Sequence, residues 1–222
     1  MKRLGLLFMV LVIALGGIGA AFAAWTDTIT ISGQVNTGSL DLVVDRLCGT
    51  EVYKDLDTEE LVYSHWYSIL PDPTKIYYND SISSPPPAHG LLIAYVDVTQ
   101  DLVNDPTGDT LQMTFHNLFP LEDCIYPLGW GNWIGNCRIS CTGTIPMHAK
   151  VTTEVLGIPP AWVEISFDLG GRVLTPAEFD GTQLHQYDTF EVWVMVFVPQ
   201  EDAAMNQSGT ISVEIEGIQW NE

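Results

Sequence analysis

The chain has 222 residues, of which 46% are apolar and 16% charged, and its 28 acidic residues against 8 basic ones give a net charge of −20 at pH 7. Such an acidic surface repels nucleic acid and anionic lipid, which excludes a protein that binds either by charge. The apolar fraction is too high for a disordered acidic chain, and the length suits one folded domain.

The first residues match an export signal. Lys2 and Arg3 precede an uncharged apolar run over residues 4–20, which ends in the small residues of Ala21-Phe22-Ala23-Ala24. We therefore predict a signal peptide over residues 1–23 and a secreted protein, extracellular or on the cell surface. Removing Lys2 and Arg3 from the 8 basic residues leaves 6 against 28 acidic ones, a net charge of −22.

Two alternatives to this cleavage stay open. The uncharged run reaches Ala24, long enough to remain as a membrane anchor, because about 20 apolar residues span a bilayer. A pilin-type signal would instead be cut before the apolar run. Contact with a membrane is expected only through the uncleaved segment.

Strict alternation begins directly after the signal. In residues 24–37, polar residues occupy the even positions from Thr26 to Asn36, and four apolar side chains share the odd positions: Trp25, Ile29, Ile31 and Val35. The pattern predicts a β-strand with one apolar face. After cleavage this strand would be a free N-terminus, suited to pairing with a sheet edge.

For the remaining chain, residues 38–222, the sequence predicts one all-β domain, an antiparallel, jelly-roll-like β-sandwich. Period-two alternation recurs between Gly, Pro, Asn and Asp turns in residues 40–44, 111–116, 163–168 and 211–216. Residues 91–98 form a continuous apolar run apart from Asp97, which predicts a central strand. The run 190–198 is apolar on both faces apart from Glu191, which favours a strand buried on both sides. Helix signals are limited to one or two short turns, at Thr175-Pro176-Ala177-Glu178 and over residues 200–206.

Four cysteines lie after the signal: Cys48, Cys124, Cys137 and Cys141. In an exported protein an even number suggests two disulfides, in one of three pairings. Cys137 and Cys141 on one strand would be roughly 13 Å apart, too far to bond. The sequence favours Cys124 with Cys137 and Cys48 with Cys141, and leaves the remaining pairing open. A zinc site of these cysteines with His148 is disfavoured, because no C-x-x-C spacing is present.

No catalytic motif is present, so we predict that the protein is not an enzyme. The sequence lacks the H-E-x-x-H, G-x-S-x-G and Walker patterns, and its five histidines are scattered without ligand spacing.

Acidic side chains recur every four residues at Asp97, Asp101, Asp105 and Asp109. Calcium takes several oxygen ligands from such loops, so these residues form a candidate calcium site. The alternative is that the aspartates occupy solvated turns, which Asp favours. No other cofactor is predicted.

Two further features concern the surface of an exported protein. Asn79 and Asn206 each begin an Asn-x-Ser sequon in turn-like sequence and are candidate glycosylation sites. Trp130 and Trp133 lie on a Gly-rich segment, where they would either bind sugar or another subunit, or fold over the end of the sandwich.

Three stretches, in order, together resemble the secreted fibre subunits of the TasA/camelysin type, which carry SipW-type signal peptides, and their archaeal pilus relatives. They are residues 23–42, which include Ser32-Gly33-Gln34-Val35-Asn36; residues 108–146, with Asn117-Leu118-Phe119-Pro120 and Thr142-Gly143-Thr144-Ile145-Pro146; and residues 190–222, ending in Gln219-Trp220-Asn221-Glu222. The chain departs from the pattern in its Cys/Trp insertion, residues 122–141.

The resemblance implies a jelly-roll subunit of an extracellular filament or biofilm matrix. Its N-terminal strand would complete the sheet of the next copy, a homopolymer built by donor-strand complementation, with Trp25, Ile29, Ile31 and Val35 filling pockets. The alternatives are a monomeric surface adhesin that binds carbohydrate or needs calcium, and then a secreted metallopeptidase, for which this sequence supplies no zinc ligands.

Overall fold

A computed structural model describes residues 41–80, 83–101, 108–120, 132–199 and 206–219. The predicted signal peptide and the predicted donor strand, with its four apolar residues, lie outside these ranges. So do Cys124, Asp105, Trp130 and residues 200–205 of the predicted helical turn over residues 200–206.

The described residues confirm the predicted all-β class, because twelve strands pair in an antiparallel sense throughout. The strands are β1 (Leu42–Asp55), β2 (Leu61–Ile69), β3 (Asp72–Tyr77), β4 (Gly90–Asp101), β5 (Gly108–Leu118), β6 (Asn132–Cys141), β7 (Met147–Leu156), β8 (Val163–Leu169), β9 (Arg172–Leu174), β10 (Gln183–Leu184), β11 (Thr189–Phe197) and β12 (Gln207–Gln219).

Helical structure in the described ranges is limited to one α-helix, α1 (Pro176–Phe179), and a 3₁₀ turn at Pro160–Trp162. The predicted start of α1, with Thr175 as the N-cap residue and Pro176 as the first helical residue, is confirmed. The Thr175 hydroxyl accepts a hydrogen bond from the Glu178 amide, and the Glu178 carboxylate accepts one from the Thr175 amide at 2.9 Å. This capping box satisfies two backbone donors that a helix start leaves unpaired.

The strands form one curled sheet in the order β10-β7-β12-β5-β4-β1-β6-β11-β8-β9, and β2 and β3 extend it from β1. Strand β1 determines how the sheet curls. One edge of β1 pairs with β2 over Arg46–Lys54. The opposite edge pairs first with β6, over Leu42–Gly49, and then with β4, over Glu51–Asp55. The sheet therefore divides at Thr50 into a front layer (β10, β7, β12, β5, β4) and a back layer (β1, β6, β11, β8, β9).

The two layers face each other across an apolar core. A Cβ atom added to Gly135 in β6 would lie 2.5 Å from Met113 Sδ in β5 and 3.4 Å from Val96 Cγ1 in β4. The back layer thus packs directly on the front layer at this point. The sandwich is stabilised by the burial of alternate side chains from both layers, at about 25 cal/mol for each Å² of apolar surface.

Helix α1 contacts strands of both layers, β7 in front and β8 and β9 behind. Its Phe179 is fully buried and stacks on Phe167 of β8 with ring centroids 4.3 Å apart. Phe190 of β11 completes this aromatic group, 4.9 Å from the Phe179 ring. The short helix therefore seals the sandwich where the outer strands of the two layers approach each other. Within the described ranges, no helix has the length and apolar character needed to cross a membrane.

Replacing Gly135 by Ala tests the packing of the layers. We expect Gly135→Ala to lower the free energy of unfolding by about 1–3 kcal/mol, because the new methyl group overlaps Met113. In a Met113→Ala background the same change should cost much less. Chemical denaturation of the four proteins of this double-mutant cycle gives the coupling energy. Met147→Ala, a buried methionine two strands away, provides the control background. Equal effects of Gly135→Ala in the Met113→Ala and Met147→Ala backgrounds would contradict the packing.

Candidate functional site

An antiparallel sheet that receives a strand from another chain needs an edge with unpaired backbone groups beside apolar surface. We compare four edges of the described sheet: the outer edges of β3, β7 and β8, and one side of β4. These edges differ in the groups that prevent further pairing and in the surface that an added strand would bury.

The edge of β3 is unsuited to strand addition. Residues 72–76 are exposed, Pro73 lacks an amide donor, and Lys75 places a charged side chain on the strand. Proline and lysine are common on edge strands, where they prevent further pairing. Lys75 Nζ lies 2.5 Å from Glu51 Oε1, so it also fastens β3 to the sheet.

The first half of the β7 edge is already hydrogen-bonded, and the second half is polar. Ala149 exchanges backbone hydrogen bonds with Thr182 and Gly181, and the Val151 amide donates to Asp180 Oδ1 at 3.0 Å. Beyond them, residues 152–154 are exposed on both faces of the strand. A one-faced apolar strand added there would leave its apolar side chains in water. The edge of β8 is too short, because β9 pairs with Phe167–Leu169 and leaves residues 163–166.

The fourth edge belongs to β4, on the side of β1. Ala94 pairs with Val52 of β1, and the two strands separate after Tyr95. Alternate residues of an antiparallel strand turn their N–H and C=O groups to the same edge. The backbone groups of Val96, Val98 and Gln100 therefore turn to the side that β1 has left. We call these groups the β4 edge, and no described strand pairs with it.

The other side of β4 is fully used. Tyr95–Asp101 pairs with β5, and the Ile93 carbonyl accepts a hydrogen bond from Asn117 Nδ2 of β5 at 3.2 Å. Tyr95 and His116 stack across this ladder with ring centroids 4.3 Å apart. The β5 side therefore holds β4 in place, and the β4 edge has no partner among the described strands.

Buried apolar side chains and one buried polar atom lie side by side at the β4 edge. The side chains of Val96 and Val98 are buried in the core between the layers, at 0% and 6% exposure. Gln100 follows on the same face, and its Oε1 is buried with no hydrogen-bond partner in the described structure. An unpaired buried acceptor costs about 1–3 kcal/mol, so this position favours a neighbour that supplies a donor. The β4 edge therefore combines backbone groups for strand pairing, apolar surface and a hydrogen-bond acceptor.

The predicted calcium site is not assembled around Asp97. Asp97 and Asp101 lie at positions four apart in β4, roughly 13 Å along the strand, whereas the oxygen ligands of one calcium lie within 2.3–2.6 Å of it. Asp97 instead lies 3.6 Å from His116 Nε2. Asp101 and Asp109 fall at the facing ends of β4 and β5. In the described part of the chain, no three His, Cys, Asp or Glu side chains converge to hold a metal.

The favoured pairing of Cys48 with Cys141 is wrong, and no two described cysteines are joined by a disulfide. Cys48 lies opposite Asn136, five residues along β6 from Cys141, which corresponds to roughly 16 Å. Cys137 lies opposite Leu47, so it points to the other face of the sheet from Cys48. Cys137 and Cys141 share the core face, as predicted, and are too far apart to bond.

Burial makes two of these thiols unreactive. It raises the pKa of Cys48 to about 11 and that of Cys141 to about 12. The thiolate is the reactive form, so both side chains stay protonated at neutral pH.

The remaining sequence candidates fall in different environments. Asn79 and Asn206 are exposed, which is compatible with their predicted glycosylation. Trp133 is fully buried in β6, where its Nε1 donates to the Phe119 carbonyl at 3.0 Å. Trp133 therefore packs into the sandwich and is not available to bind sugar.

The chain matches no protein-family model, no curated protein and no solved structure.

Counting thiols tests the placement of the cysteines. Because Cys48, Cys137 and Cys141 cannot pair with one another, any disulfide within the chain must include Cys124. We expect at least two free thiols in each monomer when the protein, purified without reductant, is unfolded and titrated with a thiol reagent. A non-reducing gel is the control for bonds between chains. A monomer with no titratable thiol would contradict the register of β1 and β6.

Proposed function

We propose that this protein is a secreted structural subunit of an extracellular filament or biofilm matrix, and that it polymerises by donor-strand complementation. Residues 24–37 of one copy would add to the β4 edge of the next. Each copy donates one strand and accepts one, so the contact is heterologous and does not close, which builds a filament.

The β4 edge is the observation that carries this proposal. It presents the backbone groups of Val96, Val98 and Gln100 beside a buried apolar face. The alternation of residues 24–36 supplies the complement, since Trp25, Ile29, Ile31 and Val35 would share the face that turns to the core. Main-chain hydrogen bonds would hold the strand, and each fully buried apolar side chain would add about 1.5–3 kcal/mol before ordering costs.

The charge of the protein supports the same proposal. A mature chain with a net charge of −22 repels its copies at long range, so assembly requires a specific short-range contact. The uncleaved signal would hold the donor strand at the membrane and delay assembly until export is complete. The resemblance to TasA/camelysin-type subunits agrees with this scheme, and the burial of Trp133 removes one argument for a carbohydrate-binding adhesin.

Two substitutions in the predicted donor strand test the proposal. We expect Ile31→Asp in residues 24–222 to abolish filaments and leave a folded monomer, because Ile31 would pack into another copy. Thr30→Asp adds the same charge to the polar face of the strand and should assemble like the parent. Electron microscopy and sedimentation measure assembly, and circular dichroism measures folding. Filaments formed by Ile31→Asp, or a monomer that unfolds, would count against strand exchange between copies.

Amide hydrogen exchange tests the choice of edge. In the Ile31→Asp monomer, the amides of Val96, Val98 and Gln100 should exchange rapidly, and in the parent filament they should be protected. The amides of Asp97 and Thr99 face β5 and serve as controls, protected in both states. Protection of the three β4-edge amides in the monomer would show that the edge is already occupied.

A further inference from the structure

The β4 edge has an apolar inner part and a polar outer end. Val96 and Val98 form the apolar part, and both side chains are buried in the core. At the outer end Gln100 lies opposite Leu111, a fully buried residue of β5, so the Gln100 side chain also turns to the core face. Its Oε1 is buried and accepts no hydrogen bond in the described structure. An added strand therefore meets two apolar positions and then one acceptor.

Pairing within the molecule sets the inner limit of this edge. Glu51 of β1 pairs with Tyr95, the residue directly before the edge, so another strand can pair with β4 only from Val96 outward. Strands β1 and β5 both run antiparallel to β4. A donor strand of the same sense would run towards Glu51, with its N-terminal end beside Gln100.

The core-facing side of the predicted donor strand carries one side-chain hydrogen-bond donor and one charge. The odd positions from 25 to 35 are Trp25, Asp27, Ile29, Ile31, Gly33 and Val35. Among these six side chains only the indole of Trp25 donates a hydrogen bond, and only Asp27 is charged. Burying a carboxylate against apolar surface is costly unless it accepts hydrogen bonds. The donor strand therefore needs polar neighbours near its N-terminal end.

One antiparallel register matches the apolar residues on both sides. It places Ile31 opposite Val96 and Ile29 opposite Val98, so two apolar pairs face the core beside each other. Cross-strand pairs of β-branched residues stabilise a sheet in this way. The donor strand then uses the edge up to its inner limit, and pairing ends after Ile31.

The same register matches the polar residues at the outer end. Asp27 lies directly opposite Gln100, where its carboxylate can accept a hydrogen bond from the Gln100 amide group. Trp25 becomes the diagonal neighbour of Gln100, roughly 7–8 Å away, a distance that an aromatic side chain spans. Its indole N–H can donate to Gln100 Oε1, the buried acceptor that has no partner within the subunit.

The neighbouring registers lose these matches. A shift of one residue turns the apolar face of the donor strand away from the core. A shift of two residues in one direction buries the carboxylate of Asp27 against Val98. The opposite shift places Ile29 against Gln100 and moves Trp25 four residues away, so the Oε1 acceptor stays unpaired. The side chain of Gln100 thus discriminates between registers that backbone hydrogen bonds alone would accept equally.

We propose that Gln100 sets the register of assembly. In each contact between copies, the Trp25 indole of the donor copy donates to Gln100 Oε1 of the acceptor copy, and Asp27 of the donor lies opposite the same glutamine. This inference rests on the proposed filament and adds to it the position of each donor strand along the β4 edge.

A double-mutant cycle on residues 24–222 tests the contact. Trp25→Phe keeps an aromatic ring and removes the indole N–H. We expect it to raise the critical concentration for filament formation about tenfold, which corresponds to about 1.4 kcal/mol. In a Gln100→Leu background, which lacks the acceptor, Trp25→Phe should have little effect. Sedimentation measures the critical concentration, and circular dichroism confirms folding.

Gln112→Leu provides the matched control background. Gln112 is an exposed glutamine on the opposite face of β5 from the core, beside Thr99 of β4. Trp25→Phe should keep its full effect in this background. Gln100→Met, a second apolar replacement of similar length, repeats the cycle if Gln100→Leu does not fold.

Asp27→Val distinguishes the proposed register from the shifted one. If Asp27 lies opposite Gln100, Asp27→Val should favour assembly much more in the Gln100→Leu background, where the carboxylate has lost its polar neighbour, than in the parent. If Asp27 lies against Val98, the substitution should favour assembly equally in both backgrounds. The change in net charge is the same in both and cancels in the comparison.

The outcomes separate the register from the filament itself. Equal effects of Trp25→Phe in the Gln100→Leu and Gln112→Leu backgrounds would overturn the proposed register, and so would equal effects of Asp27→Val with and without Gln100. In either case filaments of the parent would still support strand exchange. A parent that forms no filament would overturn the register and the proposed function together.

Discussion

The structure depends on the fact that one edge of a β-strand can pair with only one strand at a time. Strand β1 has β2 along one edge, so β6 and β4 must share the other edge in succession. At the change of partner, Thr50 donates its side-chain hydroxyl to the Ile134 carbonyl, and β6 then leaves β1 to lie over the front layer. A single sheet thus becomes two facing layers with a core between them.

The same change of partner leaves the β4 edge, on which the proposed assembly relies, without a neighbour among the described strands. Strand β4 stays paired with β5 along its whole second half, while β1 turns away with the back layer. The backbone groups that β1 no longer meets lie beside Val96, Val98 and the unpaired Gln100 Oε1. The lack of a described neighbour at this edge is therefore a consequence of how the core closes, and in the proposed assembly a strand from another copy would complete both the ladder and the core.

Much of the fold could be predicted from the sequence, because alternation is a local signal. Residues 111–116 and 211–216 each bury one face, and they fall in β5 and β12. Strands β2, β3, β7, β9 and β10 lie outside the predicted segments. Strand β3 gives no alternation signal, because its side chains are almost all exposed. The β4 edge could not be predicted, because residues 91–98 read as an ordinary central strand and only the pairing shows which half loses its neighbour. The predicted disulfide between Cys48 and Cys141 is wrong for a related reason, because the spacing of the cysteines in the sequence does not determine the register of β1 on β6.

The central claim is that the strand beside β4 comes from another copy of the chain. Electron cryo-microscopy of filaments formed by residues 24–222 tests it directly. The account predicts density for an extra strand hydrogen-bonded to Val96, Val98 and Gln100, with Ile29 and Ile31 turned to the core, that continues into β1 of the adjacent subunit. A strand that continues into β1 of the same subunit, or a β4 edge left unpaired within the filament, would contradict the account.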